Sequence, residues 1–486
     1  MSIACRVLLV KLPYKNSYYD FYVNLPAALG ILSEVLIAHE IDHDIYDMQL
    51  NESQEDFYQR VELLRPAMLG FSMLTFRYLD NYKFLNDVKK RFPYIPIVVG
   101  GPHASTFREA ILKECSAVDI VVPLEGEDIL IELCQNKPLK EIDGIIYREG
   151  GEILHTMPRG LIQDLDKHPF PKFSKFDLTQ YSAIPVITSR GCPYSCIYCP
   201  IGTTIGKKWR AKSSDAVVNE LAYWVDRNIP HEIQIEDDNF TLDMARVQRI
   251  CDGIKKRGLL KKLNIGLGNG VRADRVNLEL LTLMREMGVN VLAFGVEAGV
   301  DQTLKTLKKG EDLATIEQAI QLACRLDFDV QLFFVMGAPG ETEDDVRASI
   351  ALSQKYPVVD IAFYHLIPFP GTELYEWVKA NNRFRFKSPD YLNNASHWVN
   401  EPLFTTDELG VEKRKELYHL ANTSGRKYTN KIMSQKMAKR LSQKYHLPYA
   451  FVYPSIAFAR QPTVKKILKK GLRPLLTRVS DKLCQD

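Results

Sequence analysis

Two stretches of the chain alternate short apolar runs with amphipathic segments. In the first, β-rich runs fall at 6–10, 41–47, 68–74, 95–101 and 119–123, separated by helical patterns at 26–39, 52–65, 79–91, 104–114 and 126–135. This alternation predicts a doubly wound, mostly parallel sheet. Residues 143–154 (DGIIYREGGEIL) predict a hairpin turning at Gly150-Gly151. The Pro- and Phe-rich stretch 163–181 has little periodicity and is expected to be a linker. A second series places strands at 185–189, 232–236, 263–268, 291–297, 330–336 and 360–368, with helices such as 213–227 and 243–257 between them. Six strand–helix units predict a partial (β/α)6 barrel of the TIM type, not a full eight-fold one. Beyond 385 the strand pattern stops. The expected divisions are therefore 1–142, 143–182, 183–385 and a helical region 386–486.

Composition adds little to this until charge is mapped. With 46% hydrophobic and 25% charged residues, the chain is an ordinary globular protein. Its N-terminal apolar run is too short for a signal peptide, and no apolar segment approaches the roughly 20 residues of a membrane span, so a cytoplasmic protein is expected. Nine cysteines, an odd and scattered count, argue against a disulfide framework. Residues 421–486 carry 15 Lys+Arg against 2 Asp+Glu, a net +13, while the remaining 420 residues carry −10. The tail interleaves Tyr445, Tyr449, Phe451, Tyr453 and Phe458 with cations, and from Val464 to Val479 apolar residues recur at helical spacing around Lys465, Lys466, Lys469 and Lys470, with Pro474 expected to split two short helices. Such a segment either packs its apolar stripe on the barrel or lies on an anionic membrane surface. Nucleic acid is the weaker expectation: the body is acidic and no RNA-binding β-barrel is visible.

In an open α/β sheet, ligands sit beyond the carboxyl ends of the strands. The loop after the first strand, KLPYKN, lacks the glycines a dinucleotide pyrophosphate needs, which argues against NAD and FAD there. The third strand ends FSMLT, without the Asp of a phosphoacceptor domain. Instead Ser72-Met73-Leu74 ends the third strand and Gly100-Gly101 the fourth. Small residues on neighbouring strands leave a slot for a long flat ligand tail. These residues resemble the cobalamin-binding domains, whose Ser-x-Leu and Gly-Gly flank the nucleotide tail of the cofactor. The family's Asp-x-His-x-x-Gly is missing; His39 and His43 fall at the second strand and are expected at the surface. Any cobalamin bound would then lack a histidine below cobalt from that motif.

The segment SRGCPYSCIYCP sets Cys192, Cys196 and Cys199 in a Cys-x3-Cys-x2-Cys spacing just after the strand that opens the second series. A zinc site would need a distant fourth ligand such as His231 or Cys251. A thiolate-held [4Fe–4S] cluster normally uses four cysteines, so three leave one iron open. With Tyr198 before the last cysteine, the motif resembles the radical S-adenosylmethionine (SAM) superfamily. That resemblance implies that the open iron is chelated by SAM, whose reductive cleavage yields a 5′-deoxyadenosyl radical. It also implies SAM contacts at the following strand ends: Glu236, Asp237 or Asp238 for the methionyl amine, Arg272 and Glu297 for the ribose or amino-acid part, and the backbone of MGAPGET (336–342) for adenine. For Arg272 and Glu297 an internal ion pair is the alternative, and for one of the three acids a helix N-terminus.

The order of a flavodoxin-like (Rossmann-type) cobalamin domain, a linker, a partial radical SAM barrel and a helical basic C-terminal region resembles the cobalamin-dependent radical SAM enzymes over about residues 5–380. The implied cofactors are a [4Fe–4S] cluster, SAM and cobalamin. The implied reaction is methylation of an unactivated carbon, on a small-molecule or lipid-linked substrate, with an electron donor such as flavodoxin or ferredoxin. Cyclisation or rearrangement, and a non-catalytic corrinoid or iron–sulfur sensor, are the alternatives; the acids at 236–238 and Glu297 favour an enzyme.

Overall fold

A computed structural model describes residues 7–13, 23–51, 53–227, 232–387, 390–394 and 399–459. The first sheet contains β1 (Val7–Lys11), β2 (His43–Asp47), β3 (Met68–Ser72), β4 (Ile97–Gly100), β5 (Ile120–Val122), β6 (Ile146–Glu149) and β7 (Glu152–His155), in the order β2-β1-β3-β4-β5-β6-β7. The first five pair in parallel, and this is the flavodoxin-like order. β6 and β7 add antiparallel to β5 and turn at Gly150 (φ 59°) and Gly151 (φ 87°), as a two-residue turn with both φ positive requires.

The second sheet is formed by β8 (Ala183–Val186), β11 (Glu232–Ile235), β12 (Ile265–Val271), β13 (Val289–Glu297), β14 (Asp329–Met336) and β15 (Asp360–His365), all parallel and adjacent in chain order. Between β8 and β11 a short antiparallel pair, β9 (Ser189–Arg190) and β10 (Arg210–Ala211), brackets the cysteines. The six-stranded partial barrel is thus present.

A partial barrel leaves an edge strand with unpaired backbone groups. Here the 35-residue helix Val411–Tyr445 covers β15. Gly425 permits the approach, since a Cβ there would stand 3.1 Å from Ile361. Asn422 acts as a partner strand in miniature: its Oδ1 accepts from Phe363 N at 3.2 Å and its Nδ2 donates to Phe363 O at 3.2 Å. Arg414 is buried at the amino end of this helix, its guanidinium 2.6 Å from where a Cβ on Gly337, just after β14, would lie. Lys436, nine residues from the other end, donates to Phe328 O at 2.6 Å and Asp329 at 3.0 Å, at the start of β14. The helix therefore runs from the mouth of the barrel to its base.

The expected linker is not a tether. Phe173 fills the space a side chain on Gly30 would take, and Tyr181 donates to Asp47 Oδ2 at 3.0 Å. One apolar cluster also joins Phe57, Phe71 and Leu85 of the first sheet's layer to Leu366, Leu374 and Phe404. Among the described residues no helix is long and apolar enough to cross a membrane. The apolar stripe from 464 to 479, Pro474 included, lies outside the described residues.

Candidate active site

Residues at the carboxyl ends of the two sheets meet around one cavity of about 300 Å³. Its apolar half is a slot between Leu9, Gly70, Val98 and Val122 of the first sheet and the helices Ala27–Ala38 and Glu127–Cys134. A Cβ on Gly70 would stand 3.0 Å from Leu9. Gly101 adopts φ 94°, and a Cβ there would come within 3.0 Å of Met73 O, so both backbone and space demand glycine. At Gly100 the nearest atom to a Cβ is 3.8 Å away, because the cavity itself lies there. Ser72, Gly100 and Gly101 line the slot, whereas Leu74 is not among its lining residues. A flat, apolar, glycine-walled slot fits the planar nucleotide base of cobalamin, and the lining residues include no histidine. His43, expected at the surface, is buried: its imidazole pairs with Ser33 Oγ at 2.8 Å, and burial lowers its pKa. That serine supplies the polar partner that an inward-facing strand histidine needs.

The polar half of the cavity belongs to the barrel, through Ser189, Arg190, Glu236 and Asp238. The three acids after β11 take three different paths. Asp237 turns away into protein, accepting from Thr188 N (2.6 Å), Thr188 Oγ1 (2.5 Å) and Ser189 Oγ (2.6 Å). It braces β8 and is not free to meet a ligand. Asp238 accepts from Gly191 N at 2.8 Å, beside the first cysteine. Glu236 faces the cavity; burial pushes its pKa up to about 7, opposed by the Lys11 ammonium at the end of β1.

Cys192, Cys196 and Cys199 sit on a loop with little freedom. Gly191 has φ 87°, and a Cβ there would stand 2.5 Å from Lys208 O. Ile197 N donates to Leu307 O at 3.1 Å, and Leu374 N donates to Ile197 O at 2.8 Å. All three cysteines are partly exposed, and none is in a disulfide. Burial pushes the Cys199 thiol up to about 12 and raises Cys196, which Lys309 and Arg272 pull back down. Thiols held this high become thiolates through metal binding. Among the described residues no three His, Cys, Asp or Glu side chains converge where a single metal ion could sit. Cys251, the distant zinc candidate, packs against Met287 in the core, and His231 lies outside the described residues.

Beside the cysteines is a buried charge cluster that the sequence reading located only in part. Glu297 ends β13 with φ 68°, a conformation L residues rarely adopt, and its carboxylate folds back over Gly295. Lys309 Nζ lies 3.2 Å from its Oε1, and burial, with the Glu297 charge, raises the pKa of Tyr198. Glu311 joins Lys309 (3.5 Å) to Arg272 (3.6 Å), and one of its buried oxygens has no hydrogen-bond partner. The Arg272 guanidinium stacks 3.6 Å above the Tyr194 ring of the cysteine loop. Arg272 and Glu297 are thus both ion-paired, but Arg272 to Asp274 (2.9 Å) and Glu311 and Glu297 to Lys309, rather than to each other. The MGAPGET segment packs under Arg414, whose charge opposes the burial that raises Glu341 to about 7. Lys309 and Glu311 lie in LKKGED, in the loop after the helix that follows β13, where mixed charge next to a strand end was the available signal.

The cavity thus joins a cobalamin-type slot to Ser189, Arg190, Thr204 and Ile205, the residues on either side of the cysteine loop. Comparison with known proteins agrees. The B12 binding domain model matches residues 22–134 and the radical SAM superfamily model residues 186–352. An uncharacterized methyltransferase of Pyrococcus horikoshii is 30% identical over 394 residues, which is 78% of this chain and 85% of that protein. The cytidylyl-2-hydroxyethylphosphonate methyltransferase of Streptomyces wedmorensis is 27% identical over 384 residues, covering 69% and 71%. Among solved structures, the radical SAM methyltransferase TsrM of Kitasatospora setae superposes with a TM-score of 0.68 at 18% identity, over 77% of this chain and 76% of that one. The chain belongs to the cobalamin-dependent radical SAM enzymes, whose cofactors are a [4Fe–4S] cluster, SAM and cobalamin.

Proposed function

We propose that this chain methylates an unactivated carbon of a small molecule that carries polar groups. The observation that carries the reading is the single cavity with two unlike halves, one an apolar slot and the other the polar rim of the cysteine loop. When bound, the three cofactors supply an electron, a hydrogen-abstracting radical and a methyl carrier. The residues do the rest. Cys192, Cys196 and Cys199 hold the cluster through three thiolates and leave one position open. Glu297, Lys309, Glu311 and Arg272 offer paired positive and negative groups suited to the amine and carboxylate of an amino acid, which is what the methionyl end of SAM presents. Ser72, Gly100 and Gly101 admit the cobalamin tail. Glu236 and Asp238 face the space between, where a substrate's polar groups would be oriented. A flavodoxin or ferredoxin is the electron donor this chemistry calls for.

The test is anaerobic reconstitution with iron, sulfide, cobalamin and SAM, followed by mass spectrometry. Methyl transfer predicts both S-adenosylhomocysteine and 5′-deoxyadenosine, and the Cys192→Ala protein should form no deoxyadenosine. Deoxyadenosine alone would favour cyclisation or rearrangement.

We further infer a peripheral contact with anionic membrane. The helix Tyr449–Ala459 carries no charged residue, Phe451 is 77% exposed, and Lys431, Lys439 and Lys444 lie on the helix before it. The Lys436 and Asp329 contacts put this hairpin at the barrel base, away from the cavity. Membrane contact and substrate choice are then separate questions, and a lipid substrate draws no support from it. Sedimentation with anionic liposomes, weakened by salt and by Phe451→Glu, is the expected result; equal sedimentation with neutral liposomes would overturn it.

A further inference from the structure

A buried charge knot ties the wall of the slot to the cysteine loop. Arg190, two residues before Cys192, donates to Glu125 Oε1 at 2.8 Å and to Glu127 Oε1 at 2.6 Å. Glu125 lies in the loop after β5 and Glu127 opens the helix that follows it, and Glu125, Glu127 and Arg190 all line the cavity. Glu125 is held from two further directions. Arg210, the antiparallel partner of Arg190, donates to both its oxygens at 2.8 Å. Ile162 N donates to it at 2.7 Å, while Arg210 donates to Ile162 O at 2.6 Å. Two guanidinium and two carboxylate groups balance, and the side chains are 18% (Arg190), 2% (Arg210), 9% (Glu125) and 6% (Glu127) exposed. The loop itself is set by Leu124, which has φ 62° and donates its N–H to Ser105 Oγ at 2.8 Å.

Burying four charges is a poor way to gain stability, because desolvation offsets most of the attraction. What such a knot does well is fix geometry, since the two terminal nitrogens of the planar Arg190 guanidinium each hold a different carboxylate and so set both partners at once. It joins the two segments whose separation decides how the two cofactor sites face each other. Arg190 lines the cavity between the two loops it joins, and both its carboxylate partners lie on the slot side.

We infer that Arg190 is a positioning residue that fixes the distance between the cobalamin slot and the cluster loop. The inference rests on the cofactor assignment proposed above. Arg190→Met removes the charge and both hydrogen bonds; Glu127→Gln neutralises one partner and leaves Glu125 in place. The fully loaded protein, with reduced cluster and cob(II)alamin, holds two paramagnetic centres, and pulsed dipolar spectroscopy reads their distance distribution.

Wild type should give one narrow distribution. Arg190→Met should keep its iron and cobalamin content but at least double the width of the distribution. The ratio of deoxyadenosine to S-adenosylhomocysteine should rise about tenfold, because radical formation no longer keeps step with methyl transfer. Glu127→Gln should shift both readouts in the same direction by less, and it decides the matter if Arg190→Met fails to load. Wild-type width and ratio in a loaded Arg190→Met or, failing that, Glu127→Gln protein would overturn the inference. Wild-type protein that binds no cobalamin would instead overturn the assignment on which it rests.

Discussion

The ammonium of Lys309 stands 3.2 Å from Glu297 Oε1 and 3.5 Å from Glu311 Oε2, in a site where all three side chains are almost fully buried. One cation thus serves two carboxylates, and Arg272, 3.6 Å from Glu311, is itself shared with Asp274 at 2.9 Å. Removing it leaves buried negative charge unpaired, a change that typically costs about 3–5 kcal/mol. Lys309→Met is expected to lower the thermal midpoint of the unloaded protein. In reconstituted protein it should weaken SAM binding at least tenfold at unchanged iron content, as read by equilibrium dialysis. Unchanged SAM affinity would reduce Lys309 to a structural role.

Gly100 and Gly101 are adjacent but should respond differently to a side chain. Gly101 has a positive φ and only 3.0 Å to Met73 O, so Gly101→Val strains the backbone and destabilises the fold. Gly100 has ordinary contacts and 3.8 Å of clearance, so Gly100→Val should fold like wild type. Its side chain then projects into the slot. Expected outcomes are loss of cobalamin from both variants, with the thermal midpoint lowered only for Gly101→Val. In wild type, the cob(II)alamin spectrum should lack nitrogen superhyperfine splitting, since among the described residues no histidine lines the cavity.

Both sheets were legible because apolar runs alternate with amphipathic ones, and the cysteine loop because three thiols fell in one short stretch. Chemistry shared between distant segments was not. Asp237 and Glu236 look alike in the sequence, yet one is spent bracing Thr188 and Ser189 while the other faces the cavity. Nothing in the spacing of Glu125 and Arg190 shows that they meet, because a contact across 65 residues leaves no periodic trace. The C-terminal helix was foreseen as basic, but its inward face was not. Asn422 and Gly425 satisfy and approach an edge strand, which only the sheet order makes visible.

Asn422 gives the barrel a measurable dependence on that helix. Its amide satisfies both backbone groups of Phe363 on the uncovered side of β15. Asn422→Ala leaves a buried donor and acceptor unpaired, at about 1–3 kcal/mol each. The expected result is a lower denaturation midpoint and a tendency to associate through the exposed edge, seen by size-exclusion chromatography. Asn422→Asp should restore the contact to Phe363 N but not to its carbonyl. A variant as stable and as monodisperse as wild type would show that the edge is satisfied in some other way.

Glu236 should reveal itself through pH even before any cofactor is added. Burial raises its pKa to about 7 in the folded protein, while an unfolded glutamate ionises near 4.3. Between those values the folded form keeps a proton that the unfolded form releases, so stability falls as pH rises through the window. Below about pH 4 both forms are protonated and the group contributes nothing; above about pH 7 the full cost is present. The side chain is partly exposed, which discounts the cost to about 1–2 kcal/mol. Glu236→Gln keeps the shape of the neutral acid and removes the titration. The variant's stability advantage over wild type is therefore expected to grow by about 1–2 kcal/mol from pH 5 to pH 8, measured by urea denaturation of unloaded protein. Lys11 pulls the other way, so Lys11→Met in the wild-type background should steepen the decline by raising Glu236 further. A constant difference between Glu236→Gln and wild type at both pH values would mean that Glu236 is already ionised in the fold.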